Sequence, residues 1–386
     1  MGIISPVTHL ALSGGIGGAK LALGLEHIFN SPKLMIAGNT GDDFEHFGLN
    51  ISPDLDTLLY TLSGKSDLER GWGLANETWS FMKAMKEIGG ETWFQLGDRD
   101  LAIHVERTRR LKEGERLSLI TSSFCRKFGV KSHIVPATDD SLKTLVKTPK
   151  GILSFQHYFV RDQCRPKILG LNYEGSENAQ PCPALEEALE SSLLETVVLC
   201  PSNPFLSIDP ILAVKGVREK LKSSNARVLA VSPIVGGDAV KGPTAKNLRD
   251  LGFSVSAYTI AKYYSDFIDG FMLDKKDENE ITRIVSFHMK SNTPWENMNK
   301  KFTSHELELI ELLEKHKNKI LVSFTNPYTL SQINLESYNS IIISFQNNPQ
   351  YQKTTAQQVF GAKKIKGVLP VSINEKHQEG KGLLSE

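Results

Sequence analysis

Short apolar runs alternate along this chain with glycine-rich polar turns and amphipathic stretches. Residues 8–12 (THLAL) are apolar, SGGIGGAK follows, and LALGLEHIF continues. That order reads as strand, glycine loop, helix, with Leu21, Leu23, Leu25, Ile28 and Phe29 as the apolar stripe of the helix. Residues 33–37 (KLMIA) predict a second strand, which ends in GNTGDDFEHFG. A strand–helix–strand start with polar loops at the strand ends predicts a parallel, doubly wound sheet. Such sheets seat ligands at the carboxyl ends of their strands. Further strands are predicted at 132–135 (SHIV), 151–160 (GILSFQHYFV), 196–200 (TVVLC) and 227–231 (RVLAV). The last two each run into a Pro-containing polar loop. Residues 54–115 and 244–251 are helical in pattern, and 139–195 has poor periodicity and reads as a more antiparallel insertion.

Residues 277–317 are charged and helical in tone. The last 70 or so residues reopen an α/β pattern. Strands are predicted at 320–324, 340–345 and 366–373, with a polar helix near 349–360. The fold class is therefore α/β, a Rossmann-like, doubly wound, mainly parallel sheet with a helical and antiparallel insertion. The expected division is a main domain over 1–300 and an appended small α/β unit over 301–386.

Composition narrows this picture only a little. Of 386 residues, 40% are apolar and 23% charged, which excludes a disordered or coiled-coil chain. Lys+Arg is 45 against 44 Asp+Glu, so there is no global electrostatic reason to bind nucleic acid or an anionic membrane. No apolar run approaches ~18 residues, and the N-terminus lacks a positive leader region. A cytoplasmic protein is expected. Cys125, Cys164, Cys182 and Cys200 lie far apart without a C-x-x-C pair and read as packing thiols. Neither a Ser/His/Asp set nor a Cys/His pair stands out.

The candidate chemistry lies in the loops. Gly14, Gly15, Gly17 and Gly18 either let the backbone cradle a phosphate at a helix N-terminus or make a tight turn. Lys20 either reaches that phosphate or is a solvated helix lysine. Asp42 and Asp43 in one loop, with Asp54 and Asp56 in the next, suit a hard cation such as Mg²⁺. Helix capping explains one of these four more easily than all. Arg99, between Asp98 and Asp100, is an ion-pair node or a phosphate clamp. His104 and Arg107 follow, with Arg109 and Arg110 on a solvated face. Ser202, Asn203, Gly236 and Gly237 follow predicted strands and offer contacts to a ligand or ordinary turn chemistry.

Together these segments resemble the 2-phospho-L-lactate transferase family of coenzyme F-420 biosynthesis. The matching pieces include LSGGIGGAKL at 12–21, NTGDD at 39–43 and ISPDLDTLLYTLSG at 51–64. RGWGLANETW at 70–79, LGDRDLAIHVERT at 96–108, CPSNPFLSIDPIL at 200–212 and VSPIVGGDAVKGPTAK at 231–246 continue in the family's order. The likeness covers about residues 7–295. It implies a Mg²⁺-dependent transferase with two small-molecule substrates. One is a guanosine diphosphate conjugate of lactate or enolpyruvate. The other is the deazaflavin Fo, whose terminal ribitol hydroxyl attacks phosphorus while GMP leaves. The resemblance maps the acceptor and catalytic roles onto Asp56 and Arg99. Asp42, Asp43 and Asp54 take metal duty. The glycine loop with Lys20, Ser202, Asn203, Gly236 and Gly237 faces the nucleotide. It also implies a homodimer. The alternative is a nucleotide-sugar-binding regulator of related fold without catalysis. Residues 318–373 resemble instead the C-terminal domain of family-3 glycoside hydrolases, without the barrel that supplies that family's nucleophile.

Overall fold

The computed structural model describes residues 6–29, 31–280 and 283–288, and beyond them 307, 310, 319–324, 327–338, 340–343 and 373. In chain order the first elements are β1 (His9–Ser13), α1 (Gly15–Ile28), β2 (Leu34–Gly38), β3 (Phe44–His46) and β4 (Leu49–Ile51). Four helices follow: α2 (Pro53–Leu62), α3 (Ser80–Glu87), α4 (Asp98–Lys112) and α5 (Leu117–Phe128). Then come β5 (His133–Pro136), β6 (Lys143–Thr148), β7 (Gly151–Ser154), β8 (Gly170–Glu174), α6 (Pro183–Glu190), β9 (Thr196–Leu199), α7 (Asp209–Ala213) and α8 (Val217–Ser223). The main unit closes with β10 (Arg227–Val231), β11 (Ile234–Val235), β12 (Asp238–Ala239), α9 (Thr244–Asp250), α10 (Ala257–Tyr264) and β13 (Gly270–Met272).

The central sheet runs β13-β10-β9-β1-β2-β5, and every pairing in it is parallel. This is the doubly wound order, in which the chain builds outward from β1 first to one side and then to the other. Side chains alternate across it. Leu10, Leu12, Met35, Val197 and Leu199 enter one core. Ala11, Leu34, Ile36, Ile134 and Val198 enter the other, beneath α1, α2 and α5. Both faces are covered, which is why these strands read as continuous apolar runs. The 139–195 insertion holds the antiparallel sheet β7-β6-β8. All four cysteines are free, and burial pushes the Cys125 and Cys200 thiols up to about 12. No helix among the described residues is long and apolar enough to cross a membrane.

Two expectations change. Only Gly151–Ser154 of the predicted 151–160 strand is extended, and His157–Arg161 forms a π-helical turn. That turn buries Tyr158 against Val146 and Ile168 while Phe155 and Phe159 stack on each other, 5.2 Å apart. An alternating strand would also put 155 and 159 on one face, but about 13 Å apart, too far for their rings to stack. Within the stretch read as helical, β14 (Arg283–His288) is a strand whose run of Ile and Val suits a sheet.

Contacts divide the chain into Met1–Asp277 and Glu278–Glu386. In the second unit β14 pairs in parallel with β15 (Lys319–Phe324), and β15 with β16 (Ser340–Ile343). Its core includes Ile310, Leu321, Leu330 and Leu335. The helix predicted near 349–360 and the strand at 366–373 lie outside the described residues, apart from Ile373.

Candidate active site

A crevice opens where the strand order reverses, at the carboxyl ends of β1 and β9. There Gly14 N–H donates to Ser202 Oγ (3.2 Å), and the Ser202 hydroxyl donates to Gly14 O (2.7 Å). The first amide of α1, on Gly15, donates to Asp54 Oδ1 at 2.6 Å. A Cβ on Gly14 would stand 2.6 Å from both Asp54 Oδ2 and Ser207 Cβ, and one on Gly17 would stand 2.9 Å from Pro201 O. These glycines therefore let the β1–α1 turn sit flush against two neighbouring loops. Lys20 is exposed on α1, outside the cleft lining.

The loop after β2 and the first turn of α2 supply carboxylates, and Asn39 organises them. Asn39 is fully buried, and its Nδ2 faces Asp42 Oδ1 (3.2 Å), Asp54 Oδ2 (3.0 Å) and Leu206 O (3.3 Å). Its Oδ1 accepts from Gly41 N–H at 2.7 Å. Asp43 accepts from the Ser52 hydroxyl (2.7 Å), and its other oxygen is buried without a partner. Burial, reinforced by the Asp54 and Asp43 charges, pushes Asp42 well above the usual carboxylate range. Burial does the same to Asp43 and lifts Asp54 to about 6. Carboxylates gathered in so dry a place call for a proton or a cation.

A second group lies beside them. Asp100, His104 and Arg107 are spaced i, i+4, i+7 on α4 and so share one face. Arg107 grips Asp56 with both guanidinium nitrogens, Nη1 to Oδ2 at 3.1 Å and Nη2 to Oδ1. His104 lies between Asp56 (3.7 Å) and Asp100 (3.5 Å), and the Tyr60 hydroxyl donates to Asp100. Asp56, Asp100 and His104 have ligand atoms within 4.8 Å of one another, but Arg107 already neutralises Asp56.

Arg99 is not in this group. It is exposed at the start of α4, and its Nη1 donates to Ala75 O at 3.0 Å. The segment expected to be an ion-pair node or clamp is a pair of helix starts. Glu77 accepts from the Arg99 and Asp100 amides, and Asp98 accepts from the Ser80 and Phe81 amides, all at 2.9 Å. The Thr78 hydroxyl, with the Phe81 and Ser80 amides, pulls Asp98 down to about 2. Arg109, paired with Glu106 and Glu113, faces solvent as the pattern predicted, whereas Arg110, expected beside it, is largely covered and pairs with Glu115 over the Phe124 ring.

The crevice encloses about 490 Å³. Gly15, Asp42, Asp54, Asp56, His104 and Asn203 line it together with the rings of Trp72, Trp93, Phe94, Phe155 and Phe159. Asn203 Oδ1 accepts from the Phe205 and Leu206 amides (both 3.1 Å), and its buried Nδ2 has no partner. Gly14, Gly17, Gly18, Asp43 and Ser202 are not part of this lining. Gly236 and Gly237 lie outside it. They form the two-residue turn between β11 and β12, with φ of +62° and +77°. That turn requires positive φ at both positions and accounts for the glycines without a ligand. Sequence reasoning passed over Asn39, Arg107 and the aromatic wall. The 100/104/107 spacing was the available signal for Arg107.

The family model for 2-phospho-L-lactate transferase CofD matches residues 10–312. A 2-phospho-L-lactate transferase of Methanosarcina mazei is 39% identical over 268 residues, 69% of this chain and 87% of that protein. A phosphoenolpyruvate transferase of Kitasatospora aureofaciens is 38% identical over 282 residues, 71% and 87% of the two chains. A solved Bacillus halodurans protein aligns at 17% identity with a TM-score of 0.44, over 71% of this chain and 90% of its own. By the family match and the two transferase relatives, the chain belongs to the 2-phospho-L-lactate transferase CofD family of transferase enzymes.

Proposed function

We propose that this enzyme moves a 2-phospholactate or phosphoenolpyruvate group from a guanosine diphosphate conjugate to the terminal ribitol hydroxyl of the deazaflavin Fo. The hydroxyl oxygen bonds to the phosphorus that bears the acid, the bond from that phosphorus to GMP breaks, and the hydroxyl loses its proton. The names of the two relatives span both acids, and the proposal covers both.

The observation that carries this reading is a crevice lined by both carboxylates and aromatic rings. The rings suit a planar tricycle, and the carboxylates suit the reacting phosphates of a cation-bound substrate. Asp42, Asp43 and Asp54 offer hard oxygen donors, crowded and pushed towards protonation, with one Asp43 oxygen buried and unpartnered. Asp42 and Asp54, both in the crevice lining and both bonded by Asn39, are oxygen donors of the kind Mg²⁺ takes, with Asp43 adjacent to Asp42 in the chain. When bound, the ion supplies neutralisation of charge on the phosphoryl oxygens. Asn39 holds Asp42 and Asp54 together, Asp56 accepts a hydrogen bond from the acceptor hydroxyl, and the aromatic wall excludes water. Phosphoryl transfer asks mainly for positioning and charge neutralisation, so the lack of a Ser/His/Asp set or an activated cysteine in the crevice is no obstacle.

The test is Fo binding followed by the ligand's own fluorescence, with and without GDP and Mg²⁺. Saturable binding, tightened by the nucleotide, is the expected result. Folded protein that does not bind Fo overturns the proposal and makes uridine diphosphate sugars the next ligands to try.

A further inference from the structure

The proposed transfer sets Asp56 against the acceptor hydroxyl, and the role assigned below to Arg107 rests on that proposal. A carboxylate on a helix's first turn can rotate, and its hydrogen-bonding direction rotates with it. Here the rotation is stopped from behind. Arg107 is 2% exposed and lies outside the crevice lining. Its Nη1 reaches Asp56 Oδ2, Asn50 O (3.4 Å) and His104 Nδ1 (3.3 Å), while Nη2 takes Asp56 Oδ1. His104 is itself bracketed by Asp56 and Asp100. The fork uses one lone-pair site on each Asp56 oxygen and leaves the others for a ligand.

We propose that Arg107 is a positioning residue for transfer: it touches no substrate, and it fixes the direction in which Asp56 meets the acceptor hydroxyl. Charge alone would not do this. A lysine ammonium is a single point charge and cannot hold both oxygens in one plane. The fork also explains why an arginine is buried this deeply: it joins the start of α2 to α4.

The experiment uses the full chain with Fo, Mg²⁺ and the guanosine diphosphate conjugates of lactate and enolpyruvate. Arg107→Lys should lower kcat about a hundredfold, the scale of a misplaced group, and leave the KM for the donor unchanged. A loosened fold would move both. The second variant pairs Asp56→Asn with Arg107→Gln, which removes both buried charges together and so avoids an uncompensated one. Its kcat should fall no lower than that of Asp56→Asn alone, because the two residues act as one unit. Turnover by Arg107→Lys close to wild type, or a double variant whose loss is the product of the single losses, overturns the inference. If Arg107→Lys does not fold, the double-variant comparison decides alone. A wild-type protein that binds and transfers nothing takes the functional reading down with it. An active wild type with an equally active Arg107→Lys takes down this inference only.

Discussion

Neighbouring parallel strands β9 and β10 each end in a polar, Pro-containing loop, and the two loops do different things. After β9, Ser202 is tied to Gly14 and Asn203 lines the crevice. After β10, Gly236 and Gly237 turn a short hairpin outside the crevice lining, and Gly237 N–H donates to Asp277 at 3.3 Å. The loops are alike in composition. They differ in that β9 borders β1, where the strand order reverses, while β10 lies one strand further out. The loop after β10 comes back to the lining at Pro243, so strand order decides which loop meets the crevice with its first polar residues rather than with its far end.

Substitutions sharpen that contrast, and the largest effect belongs to the carboxylates that Asn39 joins. Asp54→Ala strips a partner from both Gly15 N–H and Asn39, and kcat/KM for transfer should fall on the order of a thousandfold. Gly14→Ala puts a methyl 2.6 Å from Asp54, and turnover should drop at least roughly tenfold through misplacement of that carboxylate. Gly236→Ala, on the other loop, should leave turnover intact and cost about 1–2 kcal/mol of stability, because an alanine there is held at positive φ. Comparable losses of transfer rate in Gly14→Ala and Gly236→Ala would break the contrast.

Asp209 tests the support beneath the β9 loop. It opens α7, accepts from the Tyr263 hydroxyl at 2.5 Å, and is lifted to about 6 by burial. Its native carboxyl holds a proton more tightly than the unfolded one. The stability it contributes is therefore complete below about pH 4 and lost as the pH rises through about 6. Thermal melts should show Asp209→Asn more stable than wild type at about pH 8, with the gap closing towards about pH 4. The smallest effect is reserved for Arg99→Ala: the side chain is exposed and holds only a backbone carbonyl, so transfer rates should be unchanged.

How much of the molecule is legible in the sequence depends on how local each signal is. The strands of the main sheet could be read because both faces are buried and each strand is a short apolar run. Asp42, Asp54 and Asp56 could be read because they crowd two short loops. Arg99 drew attention for its aspartate neighbours in sequence, whereas Arg107 meets its aspartate across the fold and betrays itself only by helical spacing from Asp100 and His104. The aromatic wall was invisible for a similar reason. Trp72, Trp93 and Phe155 come from three separated segments, and nothing in any one of them marks it as part of a shared surface. The π turn at His157–Arg161 was hidden by its own composition, since Phe, Tyr and Val are also what a strand uses.

The crossed caps at the starts of α3 and α4 have a consequence for motion. Asp98, on α4, closes the first turn of α3, and Glu77, just before α3, closes the first turn of α4. Neither turn can fray without releasing the other, so their amides should exchange with solvent at a common rate, as one cooperative unit. Trp93 and Phe94 sit on the segment strung between those two helices. The Trp93–Phe94 part of the aromatic wall is thus held at both ends by a single latch.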